Sequence, residues 1–309
     1  MAMLANRRFG RFETSHPICF QVPFSTMLVT EKINAVRATR WTDPALTWGL
    51  VPTMGYLHAG HLSLVKRARA ENDRVAVSIF VNPTQFAAGE DLSTYPRDMA
   101  GDLAQLSAEN VDLVFTPTPA VMYPAGFQTD VIVNDVSKML EGASRPTHFK
   151  GVATVVAKLF NIVQPTRTYF GQKDAQQTIV LKRMVADLNL NVDLIVMPTI
   201  READGLAMSS RNKYLTAPQR EQATVLYKAL RAAIALLDGG ERDANVVRAL
   251  MTQMISAESL ARLDYVSVAD SITLQELDAI DSSALLSLAV HFGSTRLIDN
   301  LPWQLDSHL

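Results

Sequence analysis

From Met27 onward, short apolar runs alternate with stretches of helical period, and that alternation restricts the chain to an α/β fold on a mostly parallel, doubly wound sheet. Residues 46–51, 75–81, 111–115, 168–170 and 192–196 have the length and continuous apolar character of strands covered on both faces. Between them the spacing predicts helices over 62–72, 99–109, 152–163 and 176–188. Sheets of this type bind ligands beyond the carboxyl ends of their strands, so chemistry is expected in the residues that follow each run. After Tyr214 the pattern changes. Helical stretches at 218–237 and 244–257, separated by Asp238-Gly239-Gly240, precede strand-like runs at 265–269, 285–292 and 295–298, which predicts a smaller α+β unit.

A chain of 309 residues, 48% hydrophobic and 19% charged, is long enough to bury the cores of two domains. A formal net charge of -2 argues against a general nucleic-acid or anionic-membrane surface. No apolar run approaches the roughly 20 residues of a membrane-spanning helix. Cys19 is the sole cysteine, which excludes an intramolecular disulfide and a cysteine-based zinc site and agrees with a reducing cytoplasm. Residues 1–26 carry Arg7, Arg8 and Arg11 but no periodic pattern, and they match neither a transit peptide nor a signal peptide. They read as a disordered extension, or as sequence upstream of a start at Met27.

The run ending at Val51 leads into Pro52-Thr53-Met54-Gly55-Tyr56-Leu57-His58-Ala59-Gly60-His61. Both imidazoles stand at or just before a predicted helix N-terminus, where free N–H groups and the macrodipole favour an anion; taken alone, they are equally compatible with turn histidines. At the next strand exit, Asn82 and Gln85 flank Pro83 and Thr84 and offer amides suited to a small hydroxylated or carboxylated substrate. Asn-Pro is a common turn dipeptide, so Gln85 is the stronger candidate. In Phe170-Gly171-Gln172-Lys173-Asp174 the glycine lets the backbone approach a ligand, Lys173 offers a cation for phosphate and Asp174 caps a helix. A solvated lysine beside a plain cap is the alternative. Met208-Ser209-Ser210-Arg211 brings hydroxyls and a planar guanidinium suited to a polyphosphate, although a serine cap and an Arg–carboxylate pair explain them as well. Single motifs leave open a cytidylyltransferase, a class I aminoacyl-tRNA synthetase fragment, or a silent nucleotide-binding protein. The charge balance counts against a tRNA-binding surface.

Taken together, PTMGYLHAGH, SIFVNPTQF, DLSTYPRD, LEGASRPTHFKGV, FGQKDAQQ and DGLAMSSRNKYL, in this order, resemble the pantothenate synthetases, the pantoate–β-alanine ligases of the HxGH-bearing nucleotidyltransferase superfamily. The resemblance runs from Met27 to Asn300, with Gln172 standing where that family commonly has glutamate. It implies a Rossmann-like nucleotide-binding domain over 27–200 with a C-terminal cover domain over 201–309, and condensation of pantoate with β-alanine through a pantoyl adenylate, with ATP as substrate, Mg²⁺ carried mainly by its phosphates, and a homodimer. It further implies His58 and His61 on the ATP phosphates with His61 catalytic, Lys173 and Arg211 neutralising charge, and Ser209 and Ser210 on the terminal phosphates. Met54, Gly55, Gly60, Gly171, Gln172, Asp174, Ile200 and Met208 would lie against the nucleotide, while Gln85 and Gln177, with Asn82 and Met54, hold pantoate or β-alanine. Arg145 and His148 fall in a family-like loop and serve either substrate or loop structure. Asp102 is a candidate for Mg²⁺ or a solvated helix residue, and His291 reads as a core residue.

Overall fold

The structure, a computed structural model, describes residues 27–87 and 89–305, so the expected extension over 1–26 lies outside the described residues. Strands β1 (Leu28–Thr30), β2 (Trp48–Thr53), β3 (Arg74–Ile79), β4 (Leu113–Phe115), β5 (Arg167–Gly171) and β6 (Asp193–Met197) form one sheet in the order β1-β4-β3-β2-β5-β6. Every pairing in it is parallel. Each apolar run picked out in the sequence overlaps one of β2 to β6. The sequence pattern missed β1, a short edge strand with two of its residues exposed.

Helices α1 (Ile33–Arg40), α2 (Ala59–Glu71), α3 (Met99–Ala108), α4 (Pro119–Met122), α5 (Glu141–Ser144), α6 (His148–Val163) and α7 (Ala175–Asp187) lie between these strands. Successive strand side chains point to opposite faces. Leu50, Ala76 and Phe115 therefore join the core built on α6, whereas Val51, Val77 and Val114 join the one built on α2. Burial of both faces is why these strands read as unbroken apolar runs.

The winding order positions the site. From β2 the chain proceeds to β3 and β4 on one side, then returns through α4, α5 and α6 to β5 on the other. β2 and β5 pair only at Gly49↔Arg167 and Leu50↔Thr168, so they part over the residues that follow. A reversal of winding direction leaves a crevice outside the strand ends, which is the expected binding position in such sheets.

Beyond the sheet follow α8 (Ala217–Gln222), α9 (Val225–Asp238) and α10 (Ala244–Ser256), then the antiparallel strands β7 (Ala261–Ala269), β8 (Ser283–Phe292) and β9 (Thr295–Gln304) in the order β7-β8-β9. They enclose a second core in which Leu226, Leu230 and Met251 meet Leu286 and Leu288. The helix predicted over 218–237 divides at Ala223-Thr224. There the Thr224 hydroxyl donates to the Glu221 carbonyl at 2.9 Å, a local bond that competes with the helical pattern. β9 runs past the predicted end at 298 because Asp299 and Asn300, although polar, are buried and stay in register with Leu288 and Ser287. Among the described residues no helix is long and apolar enough to cross a membrane.

Candidate active site

A cleft of about 1090 Å³ opens where β2 and β5 part, walled on its far side by the loop after β6 and by β9. Met54, His58, Gly60 and His61 line it from the β2 exit. His58 is the N-cap of α2. Its Nδ1 accepts the Gly60 N–H at 3.1 Å, and Nδ1 of His61 accepts the His58 N–H at 3.4 Å. With both Nδ1 atoms used as acceptors, each neutral ring keeps its proton on Nε2 and remains a donor. Burial, then the neighbouring His58, depresses the His61 pKa to about 3. Burial, then Lys173, lowers that of His58. The two rings stand 4.1 Å apart between centroids.

The turn ahead of these histidines is held from behind. Gly55 and Tyr56 adopt positive φ (82° and 53°), which glycine tolerates readily. The N–H groups of Tyr56 and Leu57 donate to the Asp102 carboxylate at 2.8 and 2.7 Å. Asp102 is 2% exposed, and neither it nor Gly55 lines the cleft. The expectation for Asp102 is thereby corrected: both its oxygens are committed to the turn, so it is neither a solvated helix residue nor placed for Mg²⁺. Among the described residues no group of three or more His, Cys, Asp or Glu side chains gathers to hold a metal ion.

Amides occupy the β3 exit. Asn82 is 1% exposed and caps a 3-10 turn over Pro83–Gln85. Its Oδ1 accepts from the hydroxyls of Tyr123 at 2.8 Å and Thr84 at 3.0 Å, while Nδ2 donates to Gln85 Oε1 at 3.1 Å and the Gly151 carbonyl at 3.2 Å. Asn82 lines the cleft beside Gln85, and with its polar atoms met within the protein it also supports Gln85. The Gln85 carbonyl accepts from Arg145 at 3.2 Å and from the His148 ring at 2.9 Å. Arg145 in turn holds the Glu90 carboxylate through two nitrogens at 2.6 and 2.7 Å. Arg145 and His148 line the cleft, yet their bonds grip the loop that carries Gln85.

Gly171, Lys173, Asp174 and Gln177 line the cleft from the β5 exit. Asp174 takes the N-cap position of α7 without a side-chain capping bond, contrary to expectation, and its carboxylate lies 3.9 Å from Lys173 Nζ. Gln172, expected at the nucleotide, is absent from the lining, and its amide donates to Asn300 at 2.9 Å. From beyond β6, Ile200, Met208, Ser209, Ser210 and Arg211 complete the wall. Ser209 Oγ accepts the Arg211 N–H at 3.2 Å, and Ser210 Oγ lies 3.4 Å from the buried Tyr95 hydroxyl. The Arg211 fork holds the Asp91 carboxylate at 3.0 and 2.9 Å. Burial works against the Arg211 charge, but Asp91 outweighs it and raises the pKa. The motif DLSTYPRD carries Asp91 and Tyr95, but sequence reasoning gave neither a place in the site, since nothing local marks a partner more than 100 positions away. His291, expected in the core, is half-buried on the rim of the cleft.

Comparison with known proteins agrees with this arrangement. The family model for pantoate-beta-alanine ligase matches residues 28–302. A pantothenate synthetase from Roseiflexus castenholzii is 63% identical over 274 residues, which is 89% of this chain and 98% of that protein. The crystal structure of pantothenate synthetase from Thermus thermophilus superposes with a TM-score of 0.85 at 45% identity, covering 89% of this chain and 99% of that one. A pantoate-beta-alanine ligase from Francisella tularensis, solved in complex with beta-gamma ATP and beta-alanine, superposes with a TM-score of 0.74 at 37% identity, covering 89% of this chain and 97% of that one. With similarity of this order over nearly the whole length of such relatives, the chain belongs to the pantoate-beta-alanine ligase family.

Proposed function

We infer that the cleft carries out the family's reaction, the ATP-dependent condensation of pantoate with β-alanine to pantothenate, releasing AMP and pyrophosphate. In the first step a pantoate carboxylate oxygen bonds to the α-phosphorus as the bond to pyrophosphate breaks. In the second, the β-alanine amine bonds to the acyl carbon and loses a proton as AMP leaves. The first step gathers charge on the α-phosphate and the departing pyrophosphate, so positioning and electrostatics dominate catalysis.

The observation that supports this reading best is the convergence on one crevice of two neutral Nε2–H imidazoles, a lysine, an arginine and a preorganised amide. In it, His58 and His61 donate to the α-phosphate region and Lys173 and Arg211 neutralise developing charge. A phosphate takes the place that Asp91 holds on the Arg211 fork, and Ser209 and Ser210 bond the terminal phosphates. Ile200, Met208 and Gly171 lie against the nucleotide, while Gln85 and Gln177, with Asn82 and Met54, hold pantoate or β-alanine. Mg²⁺ enters with ATP, bound mainly by the phosphate oxygens.

The same reading divides the chain at residues 200 and 201, with the C-terminal unit as cover, and takes the enzyme to be a cytoplasmic homodimer. Light scattering on a sizing column tests the dimer. The decisive experiment incubates the protein with ATP, Mg²⁺, pantoate and β-alanine and identifies the products by mass. Pantothenate with AMP is the expected outcome. AMP formed with an amino acid in place of pantoate would transfer the reading to a synthetase-like enzyme.

A further inference from the structure

Gln172 turns away from the cleft toward β9. Its Nε2 donates to Oδ1 of Asn300 at 2.9 Å, while Nδ2 of Asn300 donates to the carbonyls of Gln172 at 3.0 Å and Lys173 at 2.9 Å. Asn300 is 3% exposed, and a side-chain amide so buried persists where its donors and acceptor are met. Here all three bonds go to one 3-10 turn, Gln172–Asp174, and none to the sheet that carries the residue. The strand behind it is anchored in turn. Asp299, 1% exposed, takes the Arg201 guanidinium at 2.6 and 3.0 Å and the Asn300 N–H at 2.8 Å. A chain of contacts therefore runs from the segment after β6, through β9, to the backbone of Lys173.

We propose that Asn300, braced by Gln172, is a positioning residue that seats Lys173, so that the lysine is aimed into the cleft only while the C-terminal sheet is docked on the turn Gln172–Asp174. The proposal deepens the reading of the cleft above and rests on it for the role of Lys173. The physical basis is that, among the described residues, the Lys173 side chain has no second anchor of comparable strength: its ammonium lies 3.9 Å from Asp174, beyond a short ion pair, so its direction follows from its backbone. A misplacement of about 1 Å in a charge-stabilising group is enough to cost on the order of 100-fold in rate.

The test is a double-mutant cycle on the full-length protein, read by pantoate-dependent exchange of labelled pyrophosphate into ATP. Asn300→Leu keeps the volume and removes the amide. It should lower the turnover of exchange on the order of 10- to 100-fold with the pantoate KM little changed, and should cost nothing further in a Lys173→Ala background. Equal losses in both backgrounds, or a loss confined to the pantoate KM, overturn the proposal. A second reading needs no substrate. Lys173 is among the groups that lower the His58 pKa, so Asn300→Leu should move the His58 ring titration, followed by NMR, upward toward that of Lys173→Ala. An unmoved His58 overturns the proposal. Absence of exchange in the parent protein counts against the assigned reaction, while the His58 titration still decides the clamp. If Asn300→Leu does not fold, as judged by circular dichroism, Gln172→Leu, which removes only the donor to Oδ1, takes its place in both measurements and should shift them in the same direction.

Discussion

At the scale of single residues, the histidine pair acts as two neutral donors. Each Nδ1 already accepts a backbone N–H, so protonating either ring would break a bond at the start of α2 as well as place charge in a crevice shared with Lys173. His61→Ala and Lys173→Ala are each expected to slow the adenylation half-reaction by roughly 10²–10³-fold, by analogy with loss of an oxyanion donor. Aminolysis of supplied pantoyl adenylate should suffer less, because pyrophosphate has already left. Pyrophosphate exchange reads the first step and AMP release the second; equal damage to both would indicate a collapsed site. The amides serve the other substrate. Gln85→Ala and Gln177→Ala should weaken pantoate binding by about 1–3 kcal/mol, the cost of leaving a polar group unpaired, with ATP affinity little changed. Substrate titrations of each variant check this, and a loss of ATP affinity alone would reverse the two half-sites.

At the scale of elements, the pantoate side of the cleft depends on how closely α6 approaches the turn Pro83–Gln85. Gly151 makes that approach: a Cβ there would meet the Thr84 carbonyl oxygen at 2.5 Å and the Gln85 nitrogen at 2.7 Å. Both are backbone atoms, so the helix or the turn has to move. Gly151→Ala is expected to cost about 1–3 kcal/mol in denaturant unfolding, as overpacking does, and to raise the KM for pantoate more than that for ATP. Unchanged stability with an unchanged pantoate KM would show that the turn does not depend on this contact. The starts of α2 and α6 show where element boundaries escaped the sequence pattern. α2 begins at Ala59 instead of near 62 because its cap is a histidine, outside the usual Ser, Thr, Asp and Asn set. α6 begins at His148 instead of near 152 because its first turn carries His148, Lys150 and Gly151, which interrupt the apolar period.

At the scale of the whole molecule, the depressed histidines tie folding to pH. Burial, then Arg145, lowers the His148 pKa to about 4, and burial, then His58, takes His61 to about 3. In the unfolded chain both titrate near 6.5. Below that value the unfolded state binds protons that the folded state refuses, so the stability they contribute is present above pH ~6.5 and is lost as pH falls toward about 4 and then 3. Near pH 5 each is expected to add about 1 kcal/mol per pH unit to the slope of unfolding free energy. Urea unfolding at a series of pH values measures that slope, and His148→Gln, which can still donate to the Gln85 carbonyl, should reduce it by about one histidine's share. A slope unchanged by the substitution would mean that His148 is protonated in the folded protein.

Although β1, α1 and the four-residue α4 and α5 escaped it, the sequence by itself determined the fold class, the longer strands and helices in their order, the strand exits at which His58, His61, Gln85 and Lys173 stand, and the loop beyond β6 that carries Arg211. These follow from the period of apolar residues and from short motifs, properties that need only neighbours along the chain. Tertiary structure alone decided which polar groups face the cleft and which hold it. Asp102 reaches back to the turn before the histidines, Asn82 supports Gln85, Asp91 closes on Arg211, and Gln172 turns to Asn300 across 128 positions. The physical reason is that a polar side chain must satisfy its hydrogen bonds wherever it is buried. Its partners are set by which strands lie side by side and where β2 and β5 part, a spatial relation that no local period in the chain records.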